Sequence, residues 1–234
     1  MSRNKWFDYS FLALGLIIQV LTYIISVTHN LSPVTYNLSL ISLISGLLGV
    51  CSVCLCSQGN ILTYVFGFAQ VGTYTYLCFT QRFYGEMAIN AYYFITMIYG
   101  VFVWKSRIRN QQSGLVTPRR LSWQMMALLV AATVLGSWLT GWGLAVWTDD
   151  TQPYLDAFTT VPALVAQVLM ILVYREHWFL WLAVDILSIA LWLRAGDYCM
   201  VAQYAFWCAN CLYGLRRWKT LTTNHSPITS HSAS

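Results

Sequence analysis

The sequence predicts an all-α polytopic membrane protein with a 1+3+1+3 arrangement: two parallel three-helix bundles joined by a linker helix, plus an added N-terminal helix. Three observations lead there. First, 58% of the 234 residues are hydrophobic and 9% are charged, whereas soluble domains carry roughly a quarter charged residues. Such a chain has too little polar surface to face water on all sides, so lipid is its main solvent. Second, the sequence contains eight apolar runs near the length of about 20 residues that a hydrocarbon core of about 30 Å requires. Third, an offset of 114 residues lays one part of the chain on another.

The eight spans are expected near 10–27, 38–56, 61–80, 84–104, 123–147, 154–174, 178–194 and 198–218. None shows the period-two alternation of a membrane strand. The first span follows Arg3 and Lys5 and so has the look of a signal peptide. Its apolar run is long for one and no small-x-small cleavage site follows, so a retained helix is expected. The implied units are 1–37, the N-terminal helix and loop; 38–104, the first repeat; 105–152, a basic loop and linker helix; 153–218, the second repeat; and a disordered cytoplasmic tail at 219–234.

Charge sets the expected orientation. Lys105, Arg107, Arg109, Arg119 and Arg120 crowd the loop before the fifth span, which the positive-inside rule assigns to the cytoplasm. Alternation from there leaves Arg82 and Arg194 outside, so eleven of the thirteen basic residues and both termini fall on the cytoplasmic side. The bilayer thus accounts for the net charge of +5, and no nucleic-acid partner is implied.

Under the 114-residue offset, Tyr84–Lys105 falls on Tyr198–Lys219, with a shared Tyr-Gly-x-x-x-Trp-Lys ending at Tyr99/Tyr213, Gly100/Gly214, Trp104/Trp218 and Lys105/Lys219. Each repeat has three helices, and a fifth crossing between them restores the orientation of the second copy. Parallel repeats mark one class of transporter, with the substrate held near the midplane between the halves.

The stretches GNILTYVFGFAQVGTYTYLCFTQRFYGEMAINAYYF and WFLWLAVDILSIALWLRAGDYCMVAQYAFWCANCLYGLRRW resemble the PnuC-type transporters of nicotinamide riboside and other vitamins. The resemblance runs from Gly46 to Trp218. It implies a SWEET-like pair of bundles in the bacterial inner membrane and import by facilitated diffusion, with a cytoplasmic riboside kinase trapping the product. A homo-oligomer surrounded by membrane lipid is expected. Thiamine or another vitamin is the alternative cargo.

Polar residues at membrane depth tend to face a cavity. Gln70, Asn90, Asp185 and Asn210 lie near midspan, with Gln19, Gln167 and Gln203 as further candidates. Gln203, Trp207, Asn210 and Gly214 share one face of the eighth span, and Trp178, Trp181, Asp185, Ser188 and Trp192 one face of the seventh. Gly67, Gln70 and Tyr74 line the third span; Glu86, Asn90, Tyr93 and Met97 line the fourth. The expected substrate-binding set is Gln70, Asn90, Tyr93, Trp181, Asp185, Ser188, Gln203, Trp207 and Asn210. Rings hold a flat cation by stacking and cation–π attraction, about 0.5–2 kcal/mol each. Amides bond hydroxyls and a carboxamide without an ionic trap, and Asp185 could balance the charge.

Trp104, Trp178, Trp192 and Trp218, near span ends, are expected in the interfacial belt. The two Cys-x-x-Cys pairs, Cys51/Cys54 and Cys208/Cys211, fall on Val165, Val168, Phe94 and Met97 in the other repeat, as packing residues would. No metal, cofactor or catalytic residue is expected, and no phosphate-binding loop is present in the sequence. Pro162, and Gly46 with Gly49 at the equivalent place, are either kink points or sites of close packing. The reading from another class is an intramembrane enzyme using Asp185.

Overall fold

The computed structural model describes residues 5–29, 33–81, 84–109, 114–149, 152–195 and 198–223. They form α1 (Lys5–His29), α2 (Pro33–Ser57), α3 (Thr63–Gln81), α4 (Tyr84–Ile108), α5 (Trp123–Trp147), α6 (Pro153–Ile171), α7 (His177–Ala195) and α8 (Tyr198–Thr223). The tail beyond 223, Arg82 and the side chains of Glu86, Trp192 and Arg194 lie outside the described residues. The protein is an all-helical multi-pass membrane protein, since a helix satisfies its own backbone groups where lipid offers none.

Five helices, α1, α2, α4, α5 and α6, are long and apolar enough to cross a membrane by length and composition. In α7 the apolar part is shorter, and α3 and α8 carry amides, hydroxyls and rings. Those three helices hold seven of the nine expected site residues. In contrast, α5 is apolar nearly all round and buries just Thr133, Ser137 and Gly141.

Local signals set the helix ends. The Ser122 hydroxyl accepts from the Met125 amide at 3.3 Å and caps α5, and Pro153 opens α6 where its missing N–H costs nothing. Expected to reach residue 174, α6 stops at Ile171 because Val173 takes the left-handed conformation at φ 65°. Gly59, its equivalent after α2, has φ 71°. The turns match bond for bond: Gly59 N donates to Cys56 O at 2.9 Å and Val173 N to Met170 O at 3.0 Å.

Packing follows the same offset. Helices α2 and α8 pack together, as do their equivalents α6 and α4, while α1 lies on α2 and α8 and α5 lies on α6. Trp104 Nε1 donates to Met170 O at 3.2 Å, and Trp218 Nε1 to Cys56 O at 3.0 Å. Donors and acceptors are both 114 residues apart, so each tryptophan closes on the opposite half. This corrects the interfacial-belt expectation for Trp104, Trp218 and Trp178, which are 0%, 0% and 4% exposed. The Cys56 and Met170 carbonyls, at the ends of α2 and α6, accept the indoles in addition to the turn amides and so hold the rings inward. Gly100 lets Tyr64 lie against α4, and Gly214 lets Trp178 lie against α8, another pair of equivalent contacts.

Gly46 is a point of close approach, since a Cβ there would overlap the Gln19 side chain from α1. Pro162 is buried within α6, which continues on both sides of it. In the first turn of α1, Asp8 accepts from the Tyr213 hydroxyl, and Arg217 pairs with the same carboxylate at 3.4 Å.

Candidate functional site

Four helices bring the expected residues inward. Asp185 on α7 is 3% exposed, and its hydrogen bond is from the Cys211 thiol of α8 to Oδ2 at 3.4 Å. No ion pair reaches it among the described residues. Cys211 belongs to a buried cluster with Val71 and Met97, against which Tyr93 of α4 and Trp181 of α7 pack. The cluster thus links the thiol donor of Asp185 to the packing of rings from α4 and α7. Val71 and Asp185 are repeat equivalents, both buried, so one half contributes a methyl-bearing side chain where the other contributes an acid.

The next step along α8 supplies polar atoms. Asn210 is 2% exposed; its Nδ2 donates to Val53 O of α2 at 3.4 Å, while its Oδ1 is buried without a partner. One turn earlier, Trp207 Nε1 is also buried and unpartnered, its ring edge-on to Tyr204 at 5.1 Å. A buried donor and a buried acceptor one turn apart on the same face are the groups a ligand or an ordered water would satisfy. Trp207 leans toward Val50, Cys54 and Phe206, on the α2 side of the helix.

The remaining candidates are more dispersed. Ser188 and Asn90 are buried, Gln203 is half-buried, and Gln70 is half-buried beside Gly49, with its main-chain carbonyl accepting from the Ser45 hydroxyl at 3.5 Å. Gln167, a further candidate on α6, donates to Thr96 of α4 at 3.5 Å. Thr96 and Asn210 are equivalent, as are Val53 and Gln167, so both pairs are one cross-half contact repeated. Sequence reasoning missed the tie between Cys211 and Asp185. The helical spacing of the site residues gives no sign of it, because a cysteine in a membrane helix reads as a small apolar residue. Also missed was His177, fully buried at the start of α7, its Nδ1 2.7 Å from Tyr174 O. Among the described residues no group of three or more His, Cys, Asp or Glu side chains is placed to hold a metal ion.

A set of nine expected residues without lysine or arginine, with unsatisfied amide and indole groups among them, suits a small organic solute. Comparison with known proteins agrees with that class. A model of the nicotinamide mononucleotide transporter family matches residues 39–220. The chain belongs to this family. It is 33% identical over 223 residues to the nicotinamide riboside transporter PnuC of Haemophilus influenzae, covering 94% of this chain and 93% of that one. It is 25% identical over 206 residues to PnuC of Escherichia coli K12, covering 78% and 86%. The riboflavin/roseoflavin transporter RibM of Streptomyces davaonensis is 23% identical over 177 residues, covering 75% and 83%. Among solved structures, the vitamin B3 transporter PnuC superposes with a TM-score of 0.75 at 30% identity, covering 94% and 93%. The chain is a membrane transporter of a small molecule, not an enzyme; an intramembrane enzyme built on Asp185 finds no support among these relatives.

Proposed function

We propose that the chain imports nicotinamide riboside by facilitated diffusion, alternating access between its two helix bundles around a site near the midplane. The observation that carries this reading is Asp185, a buried carboxyl that accepts from the Cys211 thiol and has no cationic partner among the described residues. Such a group complements the delocalised charge of a pyridinium, which Tyr93, Trp181 and Trp207 can stack against. Asn210 Oδ1 and Trp207 Nε1 then bond the ribose hydroxyls and carboxamide, helped by Gln70, Asn90, Ser188 and Gln203.

The family description names the mononucleotide, and the PnuC relatives are named for the riboside. The difference is a phosphate, which needs charged or multiple N–H donors when it leaves water. The nine site residues include no lysine or arginine, which favours the unphosphorylated riboside.

The basic end of the bundle faces the cytoplasm in this reading, with both termini there. The 1+3+1+3 division supplies two halves that rock about the site, and a cytoplasmic kinase keeps the gradient inward. Transport is uncoupled in this reading, Asp185 being the sole carboxylate near a span centre in the sequence. A homo-oligomer in the bacterial inner membrane completes the picture.

Calorimetry on detergent-purified protein across nicotinamide riboside, its phosphate, thiamine and riboflavin tests the substrate. The riboside should bind most tightly, and preference for the phosphate or for either other vitamin would overturn the assignment. Concentrative uptake into vesicles driven by an imposed proton or sodium gradient would refute facilitated diffusion.

A further inference from the structure

One end of the bundle carries a construction that the substrate site does not explain. Trp104 and Trp218, each flanked by lysine or arginine at the end of its helix, meet with ring centroids 6.0 Å apart. Tyr64 stands edge-on to Trp104 at 5.3 Å, and Trp178 stands edge-on to Trp218 at 5.8 Å, again as equivalents. His177 fills the remaining space, 4.4 Å from Trp178 and 4.6 Å from Trp218. Asp185 lies seven residues beyond Trp178 and Asn210 lies eight before Trp218, so the aromatic layer sits about 10–12 Å from them toward the basic end. Each tryptophan is tied to a carbonyl of the other half.

The loop between α4 and α5 crosses this layer. Val116 N donates to Gly59 O at 3.0 Å, and Arg119 N donates to Val173 O at 2.7 Å. Gly59 and Val173 are the equivalent left-handed residues of the two halves, so one short segment binds the same carbonyl on both sides of the pseudo-axis. Arg119 O accepts from Arg175 N at 3.1 Å, and Leu121 N donates to Glu176, which extends the attachment on the second half. Val116 and Val173 are 1% and 0% exposed, so the crossing belongs to the core.

We propose that residues 116–119 are a strap that holds shut an inner gate formed by Tyr64, Trp104, Trp178 and Trp218. The two halves cannot separate at the basic end without releasing an indole–carbonyl bond or one of the strap's backbone bonds. The inference rests on the transport reading, and its test does not use transport. Cys211, 4% exposed and bonded to Asp185, lies on the site side of the layer. In a background that keeps Cys211 as the sole cysteine, a membrane-impermeant maleimide is applied to inside-out vesicles and, separately, to whole cells.

Trp104→Phe and Trp218→Phe keep a ring and remove the N–H. Each should raise labelling in inside-out vesicles about threefold, the worth of one such bond in a membrane, and together about tenfold. Arg119→Pro removes the strap's donor and should act likewise, whereas Arg119→Ala keeps the N–H and should label like the parent. Unchanged rates in all three donor-removing variants, an equal rise from both faces, or Arg119→Ala matching Arg119→Pro would overturn the strap. The phenylalanine variants keep the test decisive should Arg119→Pro fail to fold. Calorimetry with nicotinamide riboside reads the site separately. Absence of binding to the unsubstituted protein would sink the transport reading, while the labelling result would still decide the strap.

Discussion

Replacing Asp185 by asparagine isolates the charge at the centre of the proposed site. The side chain is 3% exposed and its hydrogen bond comes from the Cys211 thiol at 3.4 Å. Asparagine has nearly the same shape and keeps a carbonyl oxygen to accept that thiol, so the helices have no reason to repack. What disappears is the attraction for a cation. With an effective dielectric of about 20 and a separation of about 5 Å, that attraction is about 3 kcal/mol. Stripping water from both ions removes much of it, leaving about 1.5 kcal/mol, or about tenfold in affinity. Two ligands of nearly the same outline separate charge from shape: nicotinamide riboside, with its pyridinium, and its dihydro form, with an uncharged ring. Calorimetry on the parent and on Asp185→Asn closes a cycle of four affinities. The cationic riboside should lose about tenfold and the neutral form should change by less than about twofold. Equal losses for both ligands would mean that Asp185 shapes the site without recognising charge. No loss for either would remove it from the site altogether.

Other positions give independent checks. Trp207→Phe keeps a ring and deletes the buried, unpartnered Nε1–H, so riboside affinity should fall about fivefold, the worth of one hydrogen bond, by calorimetry. Gly214→Ala would set a Cβ 2.5 Å from Trp178 Cζ2, inside a packed ring cluster, and should cost about 1–3 kcal/mol, read as a lower midpoint in thermal unfolding in detergent. Tyr213→Phe removes the hydroxyl that meets Asp8 and should destabilise by about 1.5–3 kcal/mol with riboside affinity unchanged; a loss of affinity instead would place α1 in the binding machinery.

The helices were legible because lipid forces one simple pattern. The span expected at 123–147 is α5 to the residue, whereas that expected at 154–174 stops three residues early. The early stop depends on a valine in a left-handed conformation, which propensity disfavours and which the matching glycine at 59 makes intelligible after the fact. Apolar spacing at the ends of α4 and α8 could not distinguish a lipid-facing tryptophan from an interior one. Trp104 and Trp218 stood out as a matched pair, but their partners are main-chain carbonyls, which leave no trace in the identities of Cys56 and Met170. The faces of α7 and α8 were readable from spacing, and Trp181, Asp185 and Asn210 do turn inward. The thiol donor to Asp185 was not, since Cys211 has an apolar counterpart and its neighbour lies 26 positions away.

Val173 and Gly59 share a backbone shape without sharing a residue type. A β-branched side chain tolerates that shape at a cost of order 1–3 kcal/mol, whereas glycine adopts it freely. Across the 114-residue offset the corners therefore match in main-chain path and not in residue type. Side chains around the two corners differ as imidazole against hydroxyl, His177 and Thr63, and as indole against phenol, Trp178 and Tyr64, yet both carbonyls accept from the same crossing segment. Compared residue by residue the two corners look unrelated, whereas compared by main-chain path they are two copies of one joint.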